Sequence, residues 1–275
     1  MKNDTAKQLD QYYTNKNYAK HFYNVIQQSV DLNTVDTILE PSAGTGSFFN
    51  LFDKDKRIGV DLDPKCEGII EHDFLTWNPC ASMGKIITVG NPPFGKNACS
   101  AVNFFNHAAT FSDTIAFILP KTFRKSSIIN RLDVFFHLTL DVDVPPNSFV
   151  FNDKTYDVWC CAQIWQRQNF IRTKRKILPL STVSSYFEIT TPEDADFAIQ
   201  RVGSNAGLIR EVDFLKYSKQ SHYFFKQHHP LVLDIFKTID FSTVKFNTAG
   251  NPSVSASEIV FLWIESAKTY NINAS

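Results

Sequence analysis

An excess of positive charge is the first thing this sequence lacks. Its 28 Lys and Arg are matched by 28 Asp and Glu, so no overall field draws the chain to a polyanion, and any nucleic-acid contact must come from local patches. A paired cysteine pattern is missing as well. Cys66, Cys80, Cys99, Cys160 and Cys161 form an odd set with one vicinal pair, which argues against a disulfide framework or a zinc site and for a reducing compartment. No apolar run approaches the length needed to span a bilayer. The polar start Met1-Lys2-Asn3-Asp4, with no hydrophobic segment behind it, predicts no signal peptide. The expectation is a soluble, cytoplasmic protein with neither metal nor membrane partner. Internal repeats and low-complexity tracts are also absent. Aromatics, by contrast, are plentiful: 25 Phe in 275 residues imply a Phe-packed core, with stacking surfaces for bases as the alternative. At 43% hydrophobic and 20% charged the chain is an ordinary globular one, long enough for one large core and a small second domain.

The stretch that organises the rest is Gly90-Asn91-Pro92-Pro93-Phe94-Gly95. It follows Ile86-Ile87-Thr88-Val89, a short β-branched run that reads as a buried parallel strand. Neither proline can donate to a sheet ladder, and a residue before proline is held out of the helical region, so the chain leaves the sheet stiff and extended at Asn91. A carboxamide is thereby set at the carboxyl end of a central strand, the edge where open α/β sheets bind ligands. The chemistry this suits is methylation of an aromatic amine. Asn91 and the carbonyl of Pro92 would accept the amine's hydrogens, favour its pyramidal form and stabilise the positive charge that grows as a methyl group arrives. Phe94 would offer a face for the base. The plainer alternative is a stiffened strand exit with Asn as a turn residue.

Upstream, residues 35–40 predict a strand running into Glu40-Pro41-Ser42-Ala43-Gly44-Thr45-Gly46. Gly44 and Gly46 allow a tight turn and close approach to a ligand, and a helix is predicted from about Ser47. The third glycine of a dinucleotide fingerprint is missing, since Phe49 stands in its place. The acid before Gly-x-Gly suits a ligand carrying an ammonium and a sulfonium. Residues 57–61 predict a second strand ending in Asp61, placed for ribose hydroxyls. Asp63-Pro64 then breaks toward a helix that Asp63 would cap. In His72-Asp73-Phe74-Leu75, a carboxylate and an aromatic could hold an adenine, a surface turn being the alternative. Before these, Tyr12-Tyr13-Thr14 leads into a helical pattern at Tyr18, Phe22, Val25 and Ile26, with Thr14 or Asn15 as its cap.

Downstream, a helix is predicted through Val102, Phe105 and Ala109, then a strand over residues 114–119, a helix over about 124–136 and a strand over 138–144. Residues 157–165 read as a hairpin-like pair. Phe149 or Phe151 is a candidate second wall against a base, with burial at a strand start as the alternative. Candidate phosphate contacts are Lys121, Arg124, Lys125 and Arg131, then Arg167, Arg172, Lys174, Arg175 and Lys176. Composition shifts at about residue 168, so residues 1–168 are expected to form the catalytic domain and 169–275 a small recognition domain or cap. Ser221-His222 and His228-His229 lack the carboxylate or cysteine company of a metal site.

Taken in order, these motifs over residues 8–166 resemble the class I, S-adenosylmethionine-dependent adenine-N6 methyltransferases. Asn91-Pro92-Pro93-Phe94 is similar to the family's catalytic motif and Tyr12-Tyr13-Thr14 to its amino-terminal cofactor motif. Glu40, Pro41, Ala43, Gly44, Thr45 and Gly46 match the glycine loop, Asp61 with Leu62 the ribose site, and Asp73-Phe74 the adenine clamp. The resemblance implies an α/β, Rossmann-like fold with a seven-stranded, mostly parallel sheet flanked by helices and one antiparallel strand near residues 157–165. It also implies S-adenosyl-L-methionine as cofactor. The order of motifs is that of the gamma DNA adenine methyltransferases, which favours DNA over RNA as partner. The short carboxyl-terminal part departs from that group and keeps RNA and protein glutamine in play as acceptors, with a catalytically silent methyltransferase-like subunit as the further alternative. Phe94, Phe149, Lys121, Arg124, Arg172, Lys174 and Arg175 are then the expected substrate contacts.

Overall fold

The computed structural model describes residues 13–151 and 154–272. Tyr12 therefore lies outside the described residues, as does the side chain of Phe151. The chain divides between Arg175 and Lys176 into two compact units.

The first unit opens with strand β1 (Tyr13–Thr14) and helix α1 (Lys16–Ser29). Asn15 caps that helix, its side chain accepting from the Tyr18 N–H at 2.7 Å. Strands β2 (Thr37–Pro41), β3 (Arg57–Asp61), β4 (Ile69–Glu71) and β5 (Ile86–Gly90) follow, then helix α2 (Cys99–Ala108) and strand β6 (Thr114–Pro120). A single helical turn, α3 (Ser126–Ile129), precedes β7 (Phe136–Asp143), the short pair β8 (Phe149–Phe151) and β9 (Lys154–Tyr156), and β10 (Cys160–Arg167).

Seven of these strands make one sheet in the order β4-β3-β2-β5-β6-β10-β7. All neighbours pair in parallel except β10, which runs antiparallel to both β6 and β7. This is a mostly parallel, Rossmann-like sheet with one antiparallel strand, as expected. Its long runs are buried on both faces, as in Thr114–Pro120, every residue of which is inside. One face is covered by α1 through Tyr18, Ala19, Phe22 and Ile26, the other by α2 through Ala101, Val102, Phe104 and Phe105. A second, three-stranded sheet joins β1 to β8 and β8 to β9.

Helices are fewer than the sequence suggests. The one expected from Ser47 is a 3-10 turn, Phe49–Leu51. Only ten residues separate Gly46 from Arg57; Phe48, Phe49 and Phe52 are buried, but the polar run Asp53-Lys54-Asp55-Lys56 follows at once and leaves fewer than two turns for a helix. No helix follows Asp63, so that residue caps nothing. The helix expected over residues 124–136 shrinks to the one turn of α3, and the hairpin-like pair over 157–165 is the single strand β10.

The second unit has its own core. Strands β11 (Phe187–Ile189), β12 (Phe197–Gln200), β13 (Ile209–Arg210) and β14 (His222–Gln227) form an antiparallel sheet in the order β11-β14-β12-β13. Helices α4 (Val232–Thr238), α5 (Ser242–Lys245) and α6 (Ala256–Ala267) complete it. Phe187, Phe197, Phe225, Phe236 and Trp263 interlock at its centre. A capping box of Ser255 and Glu258 starts α6.

Candidate active site

Strands β2 and β5 are hydrogen-bonded neighbours, with Leu39 opposite Thr88. From β2 the chain moves outward to β3 and β4, then returns to β5 on the other side, so the sheet changes direction between these two strands. A crevice opens there at their carboxyl ends. The Gly44 turn leaves β2 and the Asn91 loop leaves β5, so both motifs border the same opening. Gly90 lets the strand ends meet: a Cβ there would sit 3.3 Å from the Pro41 carbonyl oxygen.

A cavity of about 400 Å³ occupies this crevice. Tyr13, Gly44, Asp61, Leu62, Asp73 and Phe74 line one part of it, and Asn91 and Pro93 another. Gly44 has a φ of +48°, and a Cβ on it would lie 2.8 Å from the Tyr13 ring. The position therefore combines a left-handed backbone with no room for a side chain. The Asp61 carboxylate fastens the turn to β3: Oδ2 accepts from Gly44 N at 2.8 Å and Oδ1 from Asp63 N at 2.8 Å. Each oxygen keeps a further lone pair for a ligand hydroxyl. Burial, and after it the Asp61 charge, pushes the Tyr13 hydroxyl above its ordinary pKa, so it stays a neutral donor. Asp73 Oδ1 accepts from Leu75 N at 2.9 Å, which shapes the turn that presents Phe74.

Glu40 is placed differently from expectation. Its carboxyl is 4% exposed and off the cavity wall, with Oε2 accepting from Phe49 N at 2.5 Å. It pins the glycine loop from beneath, and burial drives its pKa well above the carboxylate range. The acids on the wall are Asp61, Asp63 and Asp73. Thr14, Pro41, Ala43, Thr45 and Gly46 also stay off the wall. They build the turn: Ser47 Oγ donates to the Thr14 carbonyl at 2.8 Å, and Gly46 N to Ala43 O at 2.7 Å.

Beyond Pro93 the loop is strained. Gly95, Asn97 and Ala98 all have positive φ, at +67°, +54° and +58°, and the last two cost about 1–2 kcal/mol each for a residue with a Cβ. The strain turns α2 so that Ser100 and Phe104 face the cavity, wall residues that sequence reasoning missed. The helical spacing of Ser100 and Phe104, one face of α2, is the signal that could have found them. Phe94 is partly buried, packs against both core layers and does not line the cavity. Pro92 is buried beneath the loop.

No protein-family model and no curated protein matches the sequence. Several solved structures resemble it distantly. A candidate RNA methyltransferase from Pyrococcus horikoshii is 20% identical over 58% of this chain and 87% of its own, with a TM-score of 0.44. The N-methyltransferase NodS from Bradyrhizobium japonicum is 12% identical over 55% and 95%, at 0.39. The magnesium protoporphyrin IX methyltransferase of Synechocystis, solved with bound S-adenosylmethionine, is 11% identical over 55% and 80%, at 0.39.

Several expected substrate contacts serve the fold instead. Phe149 is 1% exposed and lies in the core beside α1, so it has no face to offer a base. Arg124 is held by Asp141 and Asp143, each at 2.6 Å, and Lys121 by Asp143 at 2.8 Å. These pairs arise because β6 and β7 end side by side around β10, a pairing that local sequence does not display. Arg172 donates to the carbonyls of Ile129 at 2.6 Å and Leu132 at 2.7 Å, and Arg167 to those of Ser112 and Ala109. Lys174 and Arg175 remain exposed. Among the described residues, no group of three or more His, Cys, Asp or Glu is placed to hold a metal, and no helix is long and apolar enough to cross a membrane.

Proposed function

We propose that this protein transfers a methyl group from S-adenosylmethionine to the N6 amine of adenine in DNA. The observation that carries the reading is the single cavity bordered by both Gly44 with Asp61 and Asn91 with Pro93. The cavity suits the cofactor on its own terms. Three carboxylates on the wall favour a ligand with an ammonium and a sulfonium, and the Gly44 turn leaves room where a Cβ would collide with Tyr13. Asp61 would hold the ribose hydroxyls, Asp73 and Phe74 the adenine, and Tyr13 would cover the far end. When bound, the cofactor supplies an activated methyl group.

The remaining work falls to the Asn91 loop. Its two prolines keep the carboxamide from turning away, so that it accepts a hydrogen of the target amine and steadies the positive charge that develops on nitrogen. No strong base is required, because the amine loses its proton only after the charge has formed. Support for adenine, and for DNA, comes from the Asn-Pro-Pro-Phe motif and the order of the motifs before it.

The test pairs binding with turnover. Wild type should bind S-adenosylmethionine by calorimetry and move labelled methyl into DNA, with N6-methyladenine identified by mass. Asn91→Ala should bind the cofactor within about threefold of wild type yet lose about a hundredfold or more in turnover, as expected for the loss of a donor or acceptor made for the transition state. Unimpaired turnover in that variant refutes the assignment. Methyl transfer to RNA or to a release factor, but not to DNA, refutes the acceptor.

A further inference from the structure

Within the first unit, the basic stretches 121–131 and 167–175 meet on one surface. The segment 168–175 has no regular structure, but it is held along residues 129–137 throughout its length. Gln168 N donates to Phe135 O and Arg172 N to Val134 O, both at 2.8 Å. Asn130 and Arg175 exchange a reciprocal pair, Asn130 Nδ2 to Arg175 O at 2.8 Å and Arg175 N to Asn130 Oδ1 at 2.9 Å. Arg172, half-buried with its guanidinium near the Trp165 ring, serves as the internal rivet.

This leaves other side chains outside. Arg131, Lys174 and Arg175 are exposed. Arg131 donates to the Asn97 carbonyl at 3.3 Å, which joins the surface to the strained loop behind Gly95 and so to the cavity wall. At the other end of the strip, where Gln168 meets Phe135, stand two exposed rings, Phe135 at 40% and Phe170 at 58%, the latter packed edge-on against His137 with centroids 4.8 Å apart. The stretches 121–135 and 167–176 contain a single acid, Asp133, and its Oδ1 is taken up by the N–H of Phe135 at 2.8 Å.

We infer that this surface is a track for an unpaired polynucleotide strand, which delivers a base to the Asn91 loop. The inference rests on the acceptor being a polynucleotide base. Exposed rings leading into a group of cations are how single strands are held: bases stack on the aromatics and the backbone follows the charge. A duplex hides its base faces and could use the cations alone. The nearby cations Lys121 and Arg124 are already paired with Asp141 and Asp143, so the exposed rings are what sets this surface apart from a plain phosphate-binding patch. An unpaired target also avoids the few kcal/mol needed to extrude a base.

The experiment is fluorescence anisotropy with labelled single-stranded DNA and RNA of about 15 nucleotides, and with the matching duplex, between about 50 and 200 mM salt. The single strand should bind at least about tenfold more tightly than the duplex. Lys174→Glu combined with Phe170→Ala, neither of which touches a backbone hydrogen bond, should weaken that binding about tenfold or more and leave the melting temperature and cofactor affinity unchanged. Adding Arg131→Glu and Arg175→Glu should lower the salt slope by about two. Equal binding of duplex and single strand, or an unaffected double variant, overturns the track while leaving the methyl-transfer reading to its own assay. No binding of any strand, with methyl transfer only to protein, overturns both.

Discussion

Glu40 is a buried carboxyl whose work is mechanical. It takes the Phe49 N–H at 2.5 Å beneath the glycine loop, and its surroundings are dry. Burial disfavours the carboxylate, so the folded protein holds this proton to higher pH than the unfolded chain does. The sign follows from linkage. A carboxyl with a raised folded pKa stabilises the fold while it is protonated, and that contribution fades as pH climbs above the ordinary carboxylate range toward the raised value. Glu40→Gln keeps an acceptor for Phe49 and has no proton to lose. Melting temperatures measured from about pH 4 to 8 should therefore fall less with rising pH in Glu40→Gln than in wild type. Parallel curves would show that Glu40 does not titrate as argued. The residue also marks a limit of sequence reading. An acid before Gly-x-Gly is visible in one dimension, but whether its side chain faces the ligand or the underside of the loop is set by the pleat of β2 and by Phe49.

Among the elements, strands were more legible than helices. Runs such as Ile86-Ile87-Thr88-Val89 and residues 114–119 are dense in β-branched and apolar residues, and burial between two layers asks for that composition. Both full helices of the first unit, α1 and α2, show apolar spacing and appear in the structure. The missing ones failed for want of length, since a single turn gains too little to offset its nucleation. The cavity wall was legible where a motif names its residues, at Gly44, Asp61 and Asn91, and illegible where the wall depends on how α2 is aimed. That aim is set at Gly95. Its φ of +67° suits glycine, and a Cβ would press on the Ser100 side chain and against Ser100 N at 3.0 Å. Gly95→Ala should destabilise the first unit by about 1–2 kcal/mol from backbone strain alone. It should also lower turnover by more than it lowers cofactor affinity, because the shift falls on the Asn91 end of the cavity and leaves Gly44 and Asp61 in place. Denaturant melts and paired kinetics and calorimetry would check this; equal losses in kcat and binding would place the damage elsewhere.

At the scale of the molecule, the catalytic proposal lives entirely in the first unit. Every residue on the cavity wall lies between Tyr13 and Phe104. The two cores that sandwich the seven-stranded sheet draw on no residue beyond Trp165, and the core of the second unit draws on none of these. A chain of about 175 residues is large enough to bury such a core without help. A protein ended at Arg175 should accordingly fold cooperatively and bind S-adenosylmethionine within about threefold of the full chain, a difference well under 1 kcal/mol. The cut spares the segment 168–175 and with it the bonds from Gln168, Arg172 and Arg175 to residues 129–135, so ending the chain at Arg167 should be less well tolerated. Calorimetric titration of both truncations against the intact protein decides the matter. If the chain ended at Arg175 binds cofactor more than about tenfold more weakly, a loss above 1.4 kcal/mol, the cavity draws on more than its own walls and the independence of the first unit is refuted.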